Sequence, residues 1–438
     1  VIAIFALALI LWFTEAIPSW TTSMLIVVIM LLTCTDSSFS FLREGENIGT
    51  LLSHKTVMAA FADPTIMLFL GGFVIAIIAS KMGIDVQLAR VLLLPFGKKS
   101  KFVLLGFILV TGIFSMFISN TATAAMMLTF MAPVLRQLPE DDKGRIGLVM
   151  AIPIGANIGG MATPVGTPPN AIALKYLNDP AGLGFNIGFG DWAMVMMPFT
   201  ILLLILAWLL LIKLFPFKDK EIHLNIEGNT VKGPRLVIAY ITLGLTIVLW
   251  LLDKVTGINA NTVAMIPIAI FCVTGLFGKE DLKEINWDVL WLVAGGFALG
   301  IALQQSGLAK NLVEAIPFAE WSPIIVIVGA GLLCWFFSNI ISNTATAALL
   351  VPIMVAVGTG MGSVLEPFGG ILTLILGVTL SASLAMILPV STPPNAIAYS
   401  TGLVDVKYMR TVGIIVGVVG LILAFTMLVI IGKAGIML

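Results

Sequence analysis

The sequence predicts an all-α integral membrane protein made of two inverted-topology repeats, each with a re-entrant helical hairpin and a broken transmembrane helix. Three observations lead there. The 438 residues are 59% hydrophobic and 11% charged, with a mean hydropathy of +1.10, whereas a soluble domain carries about a quarter charged residues. Stretches such as 193–212 and 411–431 hold no Asp, Glu, Lys or Arg, and about 20 apolar residues suffice to cross the lipid core. Finally, three motifs occur twice, in the same order and at nearly the same spacing.

The repeats set the architecture. Gly71-Gly72-Phe73 returns as Gly295-Gly296-Phe297, Ser119-Asn120-Thr121-Ala122-Thr123 as Ser342-Asn343-Thr344-Ala345-Thr346, and Thr167-Pro168-Pro169-Asn170 as Thr392-Pro393-Pro394-Asn395. Each copy reads as three spans, a hairpin, a broken span and a final span. The first repeat covers 1–215, with spans at 1–16, 20–34 and 63–82, hairpin 103–138, broken helix 146–177 and last span 193–215. The second covers 236–438, with spans at 236–252, 260–277 and 288–305, hairpin 323–356, broken helix 371–399 and last span 411–431.

The hairpins are predicted to be re-entrant because each apolar arm is short for a crossing and the two arms meet at Ser-Asn-Thr. Irregular polar backbone at membrane depth is tolerated only within protein or beside a water-filled cavity. A re-entrant hairpin adds no net crossing, so each copy crosses five times and the second copy runs upside down. Loop charge agrees. Of the 23 Lys and Arg, sixteen fall in loops placed on the cytoplasmic side, from Arg90 and Lys98 to Lys407 and Arg410. Five (Arg43, Lys55, Lys254, Lys310 and Lys433) fall outside. The same assignment puts Val1 outside, so a cytoplasmic N-terminus would need one further span upstream.

Proline in Thr-Pro-Pro-Asn biases its predecessor to extended backbone and suits the first turn of a new helix. Both copies therefore read as an unwound break followed by a helix start. Ser119 and Ser342 are N-cap residue types. Four helix N-termini, with free N–H groups and partial positive charge, are thus expected at mid-membrane. The motifs hold hydroxyls and amides but no Lys or Arg, which suits a carboxylate. Their oxygens and the carbonyls freed by the breaks suit a hard cation. No Asp or Glu lies in a tip or break, which favours Na⁺ over proton coupling. Ser115 and Ser338 lie one helical turn before the tips, as packing residues or ion ligands. Gly71-Gly72 and Gly295-Gly296 read as close-packing positions.

Other features carry less. A net charge of zero gives no electrostatic case for a nucleic-acid partner. Cys34, Cys272 and Cys334 lack metal-type spacing and read as buried thiols, and His54 and His223 read as loop residues with no cluster around them. Glu15 and Lys175 have no repeat partner and are placed near membrane ends.

The doubled Ser-Asn-Thr and Thr-Pro-Pro-Asn motifs resemble the divalent anion/sodium symporter family, in particular its bacterial INDY-type dicarboxylate transporters, over essentially the whole chain. The resemblance implies a homodimer in a bacterial inner membrane, with scaffold and transport domains drawn from both repeats and an elevator-type movement. It implies C4-dicarboxylates such as succinate as substrate and Na⁺ as the co-transported ion. One sodium site would use Ser115, Ser119, Asn120 and the carbonyl of Gly166; the other, Ser338, Asn343 and the carbonyl of Ser391. Substrate would meet Asn120, Thr121, Thr167, Asn343, Thr344 and Thr392 beside Ser119 and Ser342, with Pro168 and Pro393 lining the pocket. Ser391 standing where the first copy has Gly166 implies that the sodium sites need not be equivalent. A sodium-independent dicarboxylate or citrate exchanger is the second reading. An anion channel is the third, disfavoured by two opposed hairpins that look like an occlusion device. No nucleophile–base pair or metal cluster in the spans supports an enzyme.

Overall fold

The computed structural model describes residues 1–44, 50–224, 232–308, 311 and 321–435; Lys310, counted above among the outside charges, lies outside them. In the first copy, α1 (Ile2–Thr14), α2 (Ser19–Thr33) and α3 (Pro64–Lys81) are followed by a short amphipathic helix, α4 (Ile84–Leu93). The hairpin is α5 (Ser100–Ser115) and α6 (Asn120–Leu135). The broken span is α7 (Gly144–Gly160) and α8 (Pro168–Leu177), and α9 (Phe189–Leu214) closes the copy. The second copy runs through α10 (Pro234–Leu251), α11 (Ala260–Val273, distorted at Ala264) and α12 (Trp287–Gln305). Its hairpin is α13 (Pro323–Ser338) and α14 (Asn343–Met361), its broken span α15 (Gly370–Ser383) and α16 (Pro393–Ser400), and its last helix α17 (Val406–Ala434).

Among the described residues the chain is helical, with two isolated β-bridges and no sheet. Six helices, α9 and α17 among them, are long and apolar enough to cross a membrane. The breaks fall where proline chemistry places them. Thr167 and Thr392, each before a proline, are extended at φ −148°, ψ 141° and φ −146°, ψ 148°.

Two expectations need correcting. The second hairpin's returning arm extends to Met361 rather than 356, because Pro352 is absorbed within α14 and the helix stops only at Gly362, at φ 53°. Of the three cysteines only Cys334 is buried; Cys34 is half-buried and Cys272 exposed. An apolar thiol on an outward-facing side of a membrane helix needs no core position.

The helices form two bodies that interleave the copies. In one, α3 packs on α11 and α12 on α2. A methyl at Gly71 would lie 2.4 Å from Ala264 O, and one at Gly295 would lie 2.3 Å from Ser23 Cβ. The repeated glycines thus allow backbone contact between copies, as small residues do in membrane helix packing. The other body holds the hairpins, the broken helices, α9 and α17. Gly159 lies so close to Gly112 of α5 that a Cβ there would meet its carbonyl oxygen at 2.3 Å. This contact clamps the first hairpin to its broken helix.

Candidate functional site

Both hairpin tips and both breaks line one cavity of about 490 Å³, within the usual range for small-molecule sites. Its wall includes Ser119, Asn120, Thr121, Gly166, Thr167 and Pro168 from the first copy. Ser342, Asn343, Thr344, Ser391, Thr392 and Pro393 come from the second. Ser115 and Ser338 lie behind this surface and are fully buried. The facing wall comes from the other body: Pro18, Ser19 and Trp20 at the start of α2, Phe69 and Phe73 of α3, and residues from Asn286 to Leu292.

Local chemistry explains why the tips present their backbone. Ser119 Oγ accepts from Ala122 N at 3.3 Å and Ser342 Oγ from Ala345 N at 3.2 Å, capping α6 and α14. Asn170 Nδ2 donates to the carbonyls of Gly160 (3.0 Å), Met161 (3.3 Å) and Thr163 (2.8 Å); Asn395 Nδ2 donates to Met386 O (2.9 Å) and Leu388 O (3.0 Å). The motif's asparagine therefore braces the break by satisfying carbonyls that helix interruption has freed. That role leaves the threonine and prolines to face the cavity.

Behind Asn120 is an arrangement suited to a hard cation. Ser115 Oγ donates to Ala156 O at 2.8 Å and lies 2.7 Å from the Asn120 amide. With that amide turned to satisfy its neighbours, its nitrogen donates to Ser115 Oγ (2.7 Å), Ala156 O (3.2 Å) and Gly166 O (3.2 Å). Three acceptors thus converge on one point, which an N–H or a cation can occupy. Glycine keeps room for it: a Cβ on Gly160 would sit 2.5 Å from the Asn120 amide atom at this point and 3.1 Å from Gly166 O. The second copy repeats the core of this geometry. Ser338 Oγ donates to Ala382 O at 2.8 Å and lies 2.8 Å from Asn343 Oδ1.

The Gly166/Ser391 difference has a structural account. In the first copy the Thr163 hydroxyl donates to Met116 O at the hairpin tip. In the second copy position 388, the counterpart of Thr163, is leucine, and Ser391 Oγ donates to Asn339 O at 3.0 Å instead. The hydroxyl tying break to tip has moved three residues along the chain. The Ser391 side chain holds the tip, and the residue lines the wall as Gly166 does in the first copy.

Sequence reasoning missed two polar residues here. Asn157 of α7, 1% exposed, donates to Thr392 Oγ1 at 3.1 Å and Asn395 Oδ1 at 3.2 Å, and its own Oδ1 has no partner. Asp288, in the first turn of α12, places an exposed carboxylate on the wall. The motifs hold no acid, but the cavity does. No lysine or arginine lines it among the described residues. Away from the site, His54 is not isolated: its Nδ1 lies 2.6 Å from Asp36 Oδ1.

Opposed hairpins and broken helices converging on one polar cavity are the construction of membrane carriers, and two solved transporters share the fold. MtrF of Neisseria gonorrhoeae aligns with a TM-score of 0.58 at 12% identity, over 94% of this chain and 95% of that one. The YdaH transporter of Alcanivorax borkumensis aligns at 0.59 and 13% identity, over 87% and 88%. Taken with a matching transporter family model, this makes the class a multi-pass integral membrane transporter, not an enzyme. Residues 9–377 match the citrate transporter family model, and the chain belongs to that family of divalent anion/sodium symporters. It is 32% identical to an uncharacterised transporter of Haemophilus influenzae, over 97% of this chain and 90% of that protein. It is 30% identical to the sodium-dependent dicarboxylate transporter SdcS of Staphylococcus aureus, over 94% and 82%. An uncharacterised transporter of Schizosaccharomyces pombe is 34% identical over 91% of this chain, which spans 45% of that longer protein.

Proposed function

We propose that the protein is a sodium-coupled symporter of C4-dicarboxylates such as succinate. The observation that carries this reading is the pairing, in one cavity, of helix N-termini from both copies with the oxygens that converge behind Asn120 and the Ser338 hydroxyl behind Asn343. Substrate carboxylates accept from the backbone N–H groups at the α6 and α14 termini and from the Asn120, Thr121, Thr167, Asn343, Thr344 and Thr392 side chains, while the α8 and α16 termini, which begin with two prolines and so lack N–H groups there, contribute only their dipoles. Pro168 and Pro393 shape the floor. One Na⁺ takes Ser115, Ser119, Asn120 and Gly166 O; the other takes Ser338, Asn343 and Ser391 O. The names of the staphylococcal relatives support both substrate class and ion, and the citrate transporter model keeps tricarboxylates within the range to be tested.

In this reading the hairpins are re-entrant, and the body that holds them moves as an elevator against the body of α1–α3 and α10–α12. Two copies of the chain form a dimer in a bacterial inner membrane, with the loops near Lys98 and Lys218 cytoplasmic. The deciding experiment is uptake of labelled succinate into proteoliposomes with and without an inward Na⁺ gradient. Accumulation driven by the gradient is the expected result. Exchange for internal succinate, unaffected by Na⁺, would instead make the protein an exchanger.

A further inference from the structure

One half-buried charged pair takes no part in binding. Lys175 Nζ, near the end of α8, lies 2.6 Å from Asp63 Oδ2, with side-chain exposures of 19% and 16%. Asp63 is the N-cap of α3 and also accepts from Thr65 N at 2.9 Å. The same ammonium sits 3.6 Å from the centre of the Phe297 ring of α12. One residue on, the Tyr176 hydroxyl lies so close to Gly300 that a Cβ there would overlap it. This seam therefore joins the two bodies: α8 belongs to the hairpin body, α3 and α12 to the other. Loop charge puts it on the external side. The ends that frame the cavity, Pro18–Trp20 and Asn286–Val289, fall on the cytoplasmic side by the same assignment.

We propose that Lys175, held by Asp63 and seated on Phe297, is a latch that closes the external side, and that the pair parts whenever the site faces outward. The proposal rests on the carrier reading above, since only a moving body needs a latch. Inverted-repeat comparison supports it. The second copy keeps an acid at the start of its third span, Asp288, within one position of Asp63's counterpart. Lys175, however, corresponds to Ser400, which is uncharged. On the cytoplasmic side Asp288 faces the open cavity with no cation bound to it among the described residues. The two sides thus show the closed and open arrangements of related positions, and the latch exists on one side only. That asymmetry favours the inward-open state.

The test reads conformation and needs no substrate. In full-length protein with Cys34, Cys272 and Cys334 replaced by serine, Val289→Cys reports access to the cavity from the cytoplasmic face in oriented proteoliposomes. The latch predicts that Asp63→Asn/Lys175→Met, which leaves no unpaired buried charge, slows labelling by an impermeant maleimide about threefold or more as the outward-open population grows. Lys175→Arg, which keeps a cation between Asp63 and Phe297, should hold the wild-type rate. Unchanged labelling in the folded neutral double variant would reduce the pair to ordinary packing. Should that variant misfold, Asp63→Cys/Lys175→Cys cross-linked by a short bis-maleimide decides the matter. Transport should stop once the link is complete, and full-rate transport through the linked protein would overturn the latch. Absence of succinate transport before linking would count against the substrate assignment alone, because the labelling result stands without it.

Discussion

Asn157 Nδ2 donates to Thr392 Oγ1 across 3.1 Å and so joins the broken helix of one copy to the break of the other. A second bond, to Asn395 Oδ1 at 3.2 Å, reaches the residue that braces the second break. Both are buried, and each such bond contributes about 0.5–1.5 kcal/mol. Asn157→Ala should therefore lower the thermal midpoint in detergent and weaken substrate binding, because Thr392 loses the donor that orients its hydroxyl. Parallel thermal unfolding and substrate titration check this. An unaltered midpoint and affinity would show that the bond orders nothing.

The cation ligands give a sharper test. Asn120→Ala removes the group at which Ser115 Oγ, Ala156 O and Gly166 O converge, and Asn343→Ala does the same beside Ser338. Bonds to a charged group contribute about 1.5–3 kcal/mol, so each variant should raise the Na⁺ concentration for half-maximal transport roughly tenfold or more. Sodium titration of initial uptake rates measures it. Unchanged Na⁺ dependence in both would move the cation sites elsewhere.

Gly160→Ala separates helix stability from ion binding. Gly160 is the last residue of α7 and has no left-handed backbone, so alanine, at most about 1 kcal/mol more favourable than glycine in a helix, should not itself destabilise the helix end. Yet its Cβ would lie 2.5 Å from the Asn120 amide atom on which the three acceptors converge. The expected result is loss of Na⁺-dependent thermal stabilisation in a protein that remains folded and monodisperse. A wild-type Na⁺ shift would mean that the convergent oxygens are not the site.

Much of this was legible in the sequence, because duplication prints the same chemistry twice. The Ser-Asn-Thr caps and Thr-Pro-Pro breaks announce themselves through local rules, and the structure brings all four motifs to one cavity. What stayed hidden lacks a repeat. Asn157 has Ser383 at its structural counterpart, so no motif flags it, and its partners lie over 230 residues away. Asp288 sits on the opposite body, and only tertiary packing places it in the wall. The exchange of roles between Thr163 and Ser391 preserves a hydrogen bond while changing position, which motif matching reads as divergence. Spacing located Lys175 near a membrane end but could not pair it with Asp63.

Acid sensitivity should arise at a second junction between the copies. Lys81 Nζ lies 2.7 Å from Asp281 Oδ2, and Gly278 N donates to the same carboxylate at 2.6 Å. Burial alone would push the Asp281 carboxyl up, but Lys81 and the Gly278 N–H outweigh it and hold it below the ordinary value of 3.8. The folded state therefore binds the proton less tightly than the unfolded state. The resulting stabilisation is fully present above the ordinary value and is lost as pH falls through the depressed one. Asp281→Asn should flatten that loss, seen as a smaller fall in thermal midpoint between neutral pH and about pH 3. An identical acid profile would assign the sensitivity to other carboxylates.

The last prediction concerns substrate charge. No lysine or arginine lines the cavity among the described residues, and its one charged wall group, Asp288, repels an anion. Attraction for a dicarboxylate must then come from helix N-termini and bound Na⁺. A terminus contributes about 0.3–1 kcal/mol to an adjacent anion, and up to about 2 kcal/mol when partly buried. Four termini supply several kcal/mol, which does not offset the desolvation of two carboxylates unless cations bind as well. Succinate affinity should therefore rise steeply with Na⁺, and succinate should tighten Na⁺ binding by the same factor, because coupling is reciprocal. Asp288→Asn should raise succinate affinity at low Na⁺ more than at high Na⁺, since removing the repelling charge matters most when cation sites are empty. Isothermal titration of each ligand at low and high levels of the other checks both halves. Equal succinate binding in Na⁺-free choline buffer would show that the dianion is held without cations, and an exchanger would then account better for the same cavity.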